Sequence, residues 1–498
     1  MADRLLEPLD PKDFSPWHAA HLLNRAGFGG TPAQIRLLAG WGLEKSVDHL
    51  VNCTGTQPDT PDPALFNGAI MSEPSPEERL AYRRALQMQD EAAIERFRML
   101  RTQKEIADRA QIVEIRKWWV KRLVQTDRPL EEKMTLFFHG HFATGYRTVE
   151  NSYHMFLQNQ LFRSQALGNF ADLAISILRD PAMLKYLDNN ESRKEHPNEN
   201  LAREFMELFT MGEGSGYSEQ DIKEGARCLT GYTFSGNAFA YRNDWHDQAL
   251  KRVLGKAGNF SGDDFARIVL GRNAVAEYIA LKLYRFFVND LPTGPDREAQ
   301  SFIAAWAKLF RRGAYSLRPM LTALFSSRHF YDDRNIGAMV KSPYVLAVGA
   351  VRTFGMQTAD PGVIAEATDL MGQNLFFPPS VKGWDGGRSW INTSTLYVRQ
   401  NLMTHLLTGR MPAGYSTQVA GREFNALALL DSMQEGSSRS DPVAVSRHLL
   451  EVALARPAAP GRVDFIADYI RSAGTRIDND CVIRALCLIT SLPEYQLC

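Results

Sequence analysis

Between Pro76 and Pro129 the chain runs for about fifty residues with neither glycine nor proline, and a globular protein can accommodate that only as helix. Strands stop far sooner, and a loop of that length would need turn residues that this stretch lacks. It is long for a single globular helix, so two helices or one bent helix are predicted. The first part, 77–109, interleaves Arg with Glu and reads as a solvated or partner-facing arm. The second part carries Ile112, Ile115, Trp118, Trp119 and Leu123 at helical spacing and should dock on a core. Arginines in such an arm could serve RNA. The intervening acids, and the balance of 57 Lys+Arg against 57 Asp+Glu over the chain, argue against nucleic acid and against an anionic membrane as partners.

Helical periodicity dominates elsewhere too. His18–Leu23 and Thr31–Ala39 read as short helices joined by a glycine turn at 27–30, with Thr31-Pro32 as cap and first turn. Gln57–Pro76, rich in Pro, Asp and Ser, reads as a surface loop. Tyr232–Phe234 and Phe239–Tyr241 flank a Ser-Gly-Asn turn and predict a hairpin. The predicted fold is mainly α, a multi-helical bundle with one small β-hairpin near 232–241. Its expected organisation is 1–76, N-terminal helices and loop; 77–128, a long charged arm; 129–400, a helical core; and 401–498, a C-terminal helical portion packed on that core.

Five scattered cysteines with no CxxC pair predict neither a disulfide framework nor a zinc-thiolate site. The first residues show no signal-peptide core, and no stretch approaches the ~18 apolar residues of a membrane helix. A cytoplasmic location is expected, with periplasmic or exported as the alternative if a leader was removed or a partner carries it.

The segment Pro197–Gly212 reads as one helix with marked ends. At ~100° per residue, Leu201, Phe205, Leu208 and Phe209 form an apolar arc. Asn200, Glu204 and Glu207 form a polar stripe beside it, with Arg203 on another side. Carboxylates at the margin of a buried face are costly unless paired, protonated or metal-bound, which makes Glu204 and Glu207 candidate acids, bases or ligands. His139 and His141, in Phe138-His139-Gly140-His141, are the nearest candidate partners. Two histidines with two Glu residues suit a divalent metal such as zinc, manganese or iron, provided Gly140 lets both rings reach one centre; the bland alternative is two satisfied core histidines.

Three further constellations carry suitable chemistry. Asp188, in the turn before the signature helix, could orient a hydroxyl or supply an oxygen ligand, or could simply form an Asx turn. His246, beside Asp247 and near Lys251, is a loop-borne candidate general base. The glycine-rich run Pro378–Trp390 holds Trp384, Asp385, Arg388 and Trp390, the ingredients of a sugar or polyol site or of a loop pinned by its tryptophans. No Walker loop, GxGxxG opening a helix, GxSxG or HExxH is present, which disfavours nucleotide-binding folds, serine hydrolases and zincins.

Together these segments resemble a bacterial family known as domain of unknown function 1800. The resemblance rests on His21–Gly29, Glu132–Met134 with His139–Thr144, Ala166–Phe170, Asp180–Asp188, Pro197–Gly212, Ala226–Gly231, Val340–Pro343, Met371–Gln373 and Trp384–Gly387. It implies a mostly helical protein and carries no settled activity. Many members are encoded beside a second family, domain of unknown function 1501, which is similar to alkaline phosphatases and sulfatases and is often exported. The resemblance therefore implies a partner of that kind, acting on phosphorylated, sulfated or polysaccharide material.

Two functions follow as expectations. One is a hydrolase-like enzyme, with Glu204, Glu207, His139, His141 and Asp188 catalytic, and Asn198, Asn200, His246, Lys341, Trp384 and Asp385 binding substrate. A divalent metal would sit on His139, His141, Glu204 and Glu207. The other is a non-catalytic scaffold, binding module or chaperone for the phosphatase-like partner. The enzyme requires the carboxylates to meet a histidine in a pocket without a neutralising arginine; the scaffold leaves them separated or salt-bridged.

Overall fold

The computed structural model of the chain describes residues 6–53, 65–356, 360–410, 423–433, 436–474 and 476–498. The fold is mainly α, as the periodicity predicts. Among the described residues the strands form two antiparallel hairpins. β1 (Tyr232–Ser235) pairs with β2 (Ala238–Tyr241), Tyr232 opposite Tyr241, where the aromatic runs place them. The second hairpin, β3 (Lys251–Val253) with β4 (Lys256–Gly258), was not predicted. Its strands are too short to show alternation, and its turn is marked only by Leu254 and Gly255, both at positive φ.

The glycine-free stretch resolves into two helices, Pro76–Met88 and Glu91–Gln125. Gln89 takes φ +52° and ends the first, and the Asp90 side chain accepts from the Ala93 N–H to cap the second. Leu80, Leu86, Met88, Met99, Leu100 and Ile106 are exposed on the outer part of this arm. Ile112, Ile115, Trp119 and Leu123 are buried on its inner part. Of the loop expected over 57–76, residues 57–64 lie outside the described part; 65–75 contain turns and no helix of a full turn.

Two hydrophobic cores form. One gathers Leu22, Phe138, Phe205, Phe265 and Phe325. The other gathers Ile115, Trp119, Tyr344, Leu402 and Leu486, so it joins the arm's base to the C-terminal helices. The helix Pro129–His141 runs between them, giving Phe137 and Phe138 to the first and Leu136 to the second. Eleven of its thirteen residues are buried, Glu132, Lys133, Thr135, His139 and His141 among them, so its polar groups must find partners inside the protein. Its Glu132 is fully buried, accepting from Arg163 Nε (2.6 Å) and Nη2 (3.0 Å), from Trp119 Nε1 (2.9 Å) and from Arg122. This network ties Glu91–Gln125 and Ser152–Ser164 to the central helix. No helix among the described residues is long and apolar enough to cross a membrane.

Candidate functional site

The signature segment Pro197–Gly212 is helical but not one α-helix. Residues Asn200–Glu204 are α, and Phe205–Thr210 are π. Burial repeats every four residues: Leu201 and Ala202, Phe205 and Met206, Phe209 and Thr210 are buried, with half-buried pairs between them. The wider turn therefore buries Met206 in place of Leu208, which the α spacing had put in the apolar arc. Arg203 also stands beside the polar stripe instead of apart from it. Its guanidinium lies 3.6 Å from Glu207, its neighbour four residues along the same helix, and 2.8 Å from Glu219 at the start of the next. Glu204 is half-buried, and burial, reinforced by the charge of Glu207, holds its carboxyl above the usual range. Arg203 and Lys382 pull it the other way.

His139 and His141 point to different places. His139 Nε2 accepts the Phe376 N–H at 3.0 Å, which leaves its proton on Nδ1. His141 Nε2 faces the Phe209 carbonyl at 2.9 Å; a carbonyl can only accept, so this ring holds its proton on Nε2. The Nδ1 lone pair of His141 is buried without a partner. Burial pushes both pKa values down to about 3, so both rings are neutral. Each histidine is a staple, one holding the loop at 376 and the other the Phe209 carbonyl near the end of the π segment. The expected metal set, His139, His141, Glu204 and Glu207, is not assembled: among the described residues no group of three or more His, Cys, Asp or Glu is arranged to hold a metal. Intact helix geometry explains this, because Gly140 remains helical and the two rings diverge.

Asp188 is exposed at φ +56°, and its carbonyl accepts from the Asn198 amide at 3.3 Å. Asn198 Oδ1 accepts the Asn200 N–H at 2.9 Å, an Asx turn, while the Asn200 side chain is exposed. His246 is buried, its Nδ1 2.8 Å from the Thr230 carbonyl, and Asp247 pairs with Arg227 at 2.7 Å. Lys341 Nζ lies 4.0 Å over the Tyr495 ring and lines a small cavity of about 30 Å³.

What the fold does assemble is a cationic cavity of about 280 Å³. Five cationic side chains line it, Arg25, Lys133, Lys282, Arg285 and Lys382, against two carboxylates, Asp290 and Asp385. His141, Ser342, Gln373, Trp384 and Cys498 also line it, and the charge of Cys498 bears on both Arg25 and Lys133. Arg25 (2 % exposed) and Lys133 (4 % exposed) form the buried end; Arg285 and Lys382 are exposed. Arg25 donates to the Asn335 carbonyl at 2.7 Å, and its Nε has no acceptor. Lys133 Nζ donates to the Gly27 carbonyl at 2.9 Å and sits 4.8 Å over the Phe28 ring. Burial pushes the Lys133 ammonium down to about 8. Among the described residues none of Arg25, Lys133, Lys282 or Arg285 forms an ion pair. Lys382 pairs with Glu213 at 2.9 Å and links this cavity to the Glu204 surface.

Close backbone approach closes the wall. Gly383, at φ +78°, packs on Gly140, and Gly387, at φ +55°, leaves only 2.5 Å between a hypothetical Cβ and Asp290 Oδ2. The glycines of the two motifs thus seat the 383–387 loop on the central helix and on the chain leaving Asn273–Phe287.

Of the residues expected from sequence, His141, Trp384 and Asp385 line this cavity. His139 lies behind it, its ring 5.7 Å from Trp384. Arg25, Lys133, Lys282, Arg285 and Asp290 were not singled out. The signal was available for three: Arg25, Lys133 and Lys282 are cations set among apolar residues of their helices, as Glu204 is. No curated protein and no solved structure matches the chain. The family model described as Protein of unknown function (DUF1800) matches residues 21–497, a range that contains all the motif segments meeting at the cavity, and the chain belongs to that family.

Proposed function

We propose that the cavity binds an anionic ester, a phosphorylated or sulfated ligand, and that the protein acts on or presents such ligands. One observation carries this reading: five cations line one partly enclosed space against Asp290, Asp385 and Cys498, and the buried cations Arg25 and Lys133 make their hydrogen bonds to carbonyls, with Cys498, and for Arg25 also Asp290, acting on them only through the field. Cations held away from water attract an anion far more strongly than surface lysines do. Hydrolysis would use the same walls. Asp290 or Asp385 would take a proton from attacking water, and Lys133 would return one to the leaving oxygen, a role its lowered pKa suits. The cations would stabilise charge on the transferring group.

A second reading, a non-catalytic binding module for a phosphatase- or sulfatase-like partner, is favoured by the Arg203–Glu207 pair and by the two histidines spent on backbone. Calorimetric titration with inorganic sulfate and phosphate tests the common premise. Binding to the wild type, weakened at least tenfold in both Lys133→Met and Lys282→Ala, supports the anion site. No binding, or binding indifferent to both variants, overturns it. Release of phosphate or sulfate from p-nitrophenyl esters, lost in Asp290→Asn or Asp385→Asn and retained in Glu204→Gln, separates the enzyme from the binding module.

A further inference from the structure

The cationic cavity does not stand alone. An open cleft of about 670 Å³ adjoins it, and Trp384, Asp385 and Trp390 line both. The cleft differs in chemistry from its neighbour. Apart from Asp385, it has no charged side chain among its walls, which are built from Trp384, Trp390, hydroxyls such as Ser389 and Ser394, and the Asn392 amide. The half-buried Trp384 indole, with the edge of the largely buried Trp390 (7 % exposed) and with hydroxyl and amide groups around it, suits a pyranose ring, which presents apolar C–H faces and equatorial hydroxyls. Asp385, exposed at the junction, can accept from two such hydroxyls. The charge therefore lies on one side of a shared wall, and the ring-binding surface lies on the other. The cleft's size falls in the range of small-molecule sites, ~300–1,000 Å³, and has room for more than the anion alone.

We infer that the cleft and the cavity are two halves of one site for a carbohydrate carrying an anionic ester, the sugar ring on the Trp384–Trp390 cleft and the phosphate or sulfate among Arg25, Lys133 and Lys282. This rests on the anion reading above and adds the substrate class to it. Linking two fragments across one wall makes the second contact intramolecular, so the ester binds more tightly than either half.

The test is calorimetric titration of the full chain with five probes: glucose 6-sulfate, glucose 6-phosphate, glucose, inorganic sulfate and inorganic phosphate. At least one sugar ester should bind tenfold or more tightly than its inorganic anion, and which ester does so tells sulfate from phosphate. Ser394→Tyr fills the cleft from an exposed position, and Trp384→Ala removes its shared wall. Ser394→Tyr, whose side chain touches no core, should abolish the tenfold gain while inorganic anion binding stays within twofold of wild type. Trp384→Ala should abolish the gain too, and the Ser394 variant decides if Trp384→Ala fails to fold. Esters binding no better than the inorganic ions, or a gain that survives Ser394→Tyr, would overturn the bipartite site and leave the anion site standing. Absence of all anion binding would overturn both.

Discussion

Gly383 packs so tightly on Gly140 that a Cβ on Gly383 would stand 2.2 Å from the Gly140 carbonyl oxygen. Two glycines more than two hundred residues apart are thus one contact, and it seats the tryptophan loop against the central helix. Gly383→Ala must both strain φ +78° and push backbone from backbone. A loss of roughly 2–5 kcal/mol is expected, read as a lower urea midpoint at unchanged slope. An unchanged midpoint would show that the loop is not held by this contact.

His139 and His141 should matter for acid stability. Their folded pKa values are depressed to about 3, against about 6.5 when unfolded. The unfolded chain therefore binds more protons between these values, and stability is full above about pH 6.5 and is lost as pH falls toward 3. His139→Phe and His141→Phe should each flatten this acid limb. Each should also cost about 1–3 kcal/mol at neutral pH through the orphaned Phe376 N–H or Phe209 carbonyl. Denaturation midpoints between pH 4 and 7 that fall as steeply in the variants as in the wild type would contradict the stapling role.

Glu132→Gln leaves Arg122 and Arg163 buried without their shared carboxylate. Removing one member of a buried ion network costs about 3–5 kcal/mol, so the variant should unfold at clearly lower denaturant. Its effect should exceed that of Glu207→Gln, whose partner Arg203 keeps Glu199 and Glu219 and is partly exposed. Equal effects would mean that the network is not what joins the arm to the central helix.

Sulfate binding should weaken as pH rises from 7 to 9. Lys133 is charged below its pKa of about 8 and neutral above it, and sulfate itself does not titrate there. Lys282, also lowered by burial, faces the same space and would add to the trend; Arg25, Arg285, Lys382, Asp290, Asp385 and Cys498 line it too, and Cys498 opposes the lowering of Lys133. Lys133→Met should bind more weakly at pH 7 and lose most of the pH dependence. Wild-type affinity that is flat over this range would remove Lys133 from the site.

Much of the helical architecture was readable because local chemistry carries it. Thr31-Pro32 marks a helix start by hydrogen bonds made within a few residues; Ser75 with Glu78, and Asp90, do the same, but they were not picked out and the break at 89–90 was not placed. The β1–β2 hairpin was announced by its aromatics and its turn, whereas β3–β4 was too short to alternate. The π segment at Phe205–Thr210 escaped, because its wider turn is held by tertiary donors, Tyr278 and His141 on the carbonyls of Leu208 and Phe209. The 100° wheel therefore put Leu208 where Met206 belongs.

The candidate site divides the same way. Burial of the Phe137–Phe142 run, and the presence of ionisable groups among apolar neighbours, follow from the spacing of residues along one helix. Which ionisable groups meet does not, because convergence depends on where separate helices cross. Glu207 found Arg203 in its own helix, while Arg25, Lys133, Lys282 and Lys382, from four distant segments, surround one cavity. Periodicity and capping act over a turn or two and are written in consecutive residues. A charge constellation is set by packing between two cores, and only the folded chain brings it together.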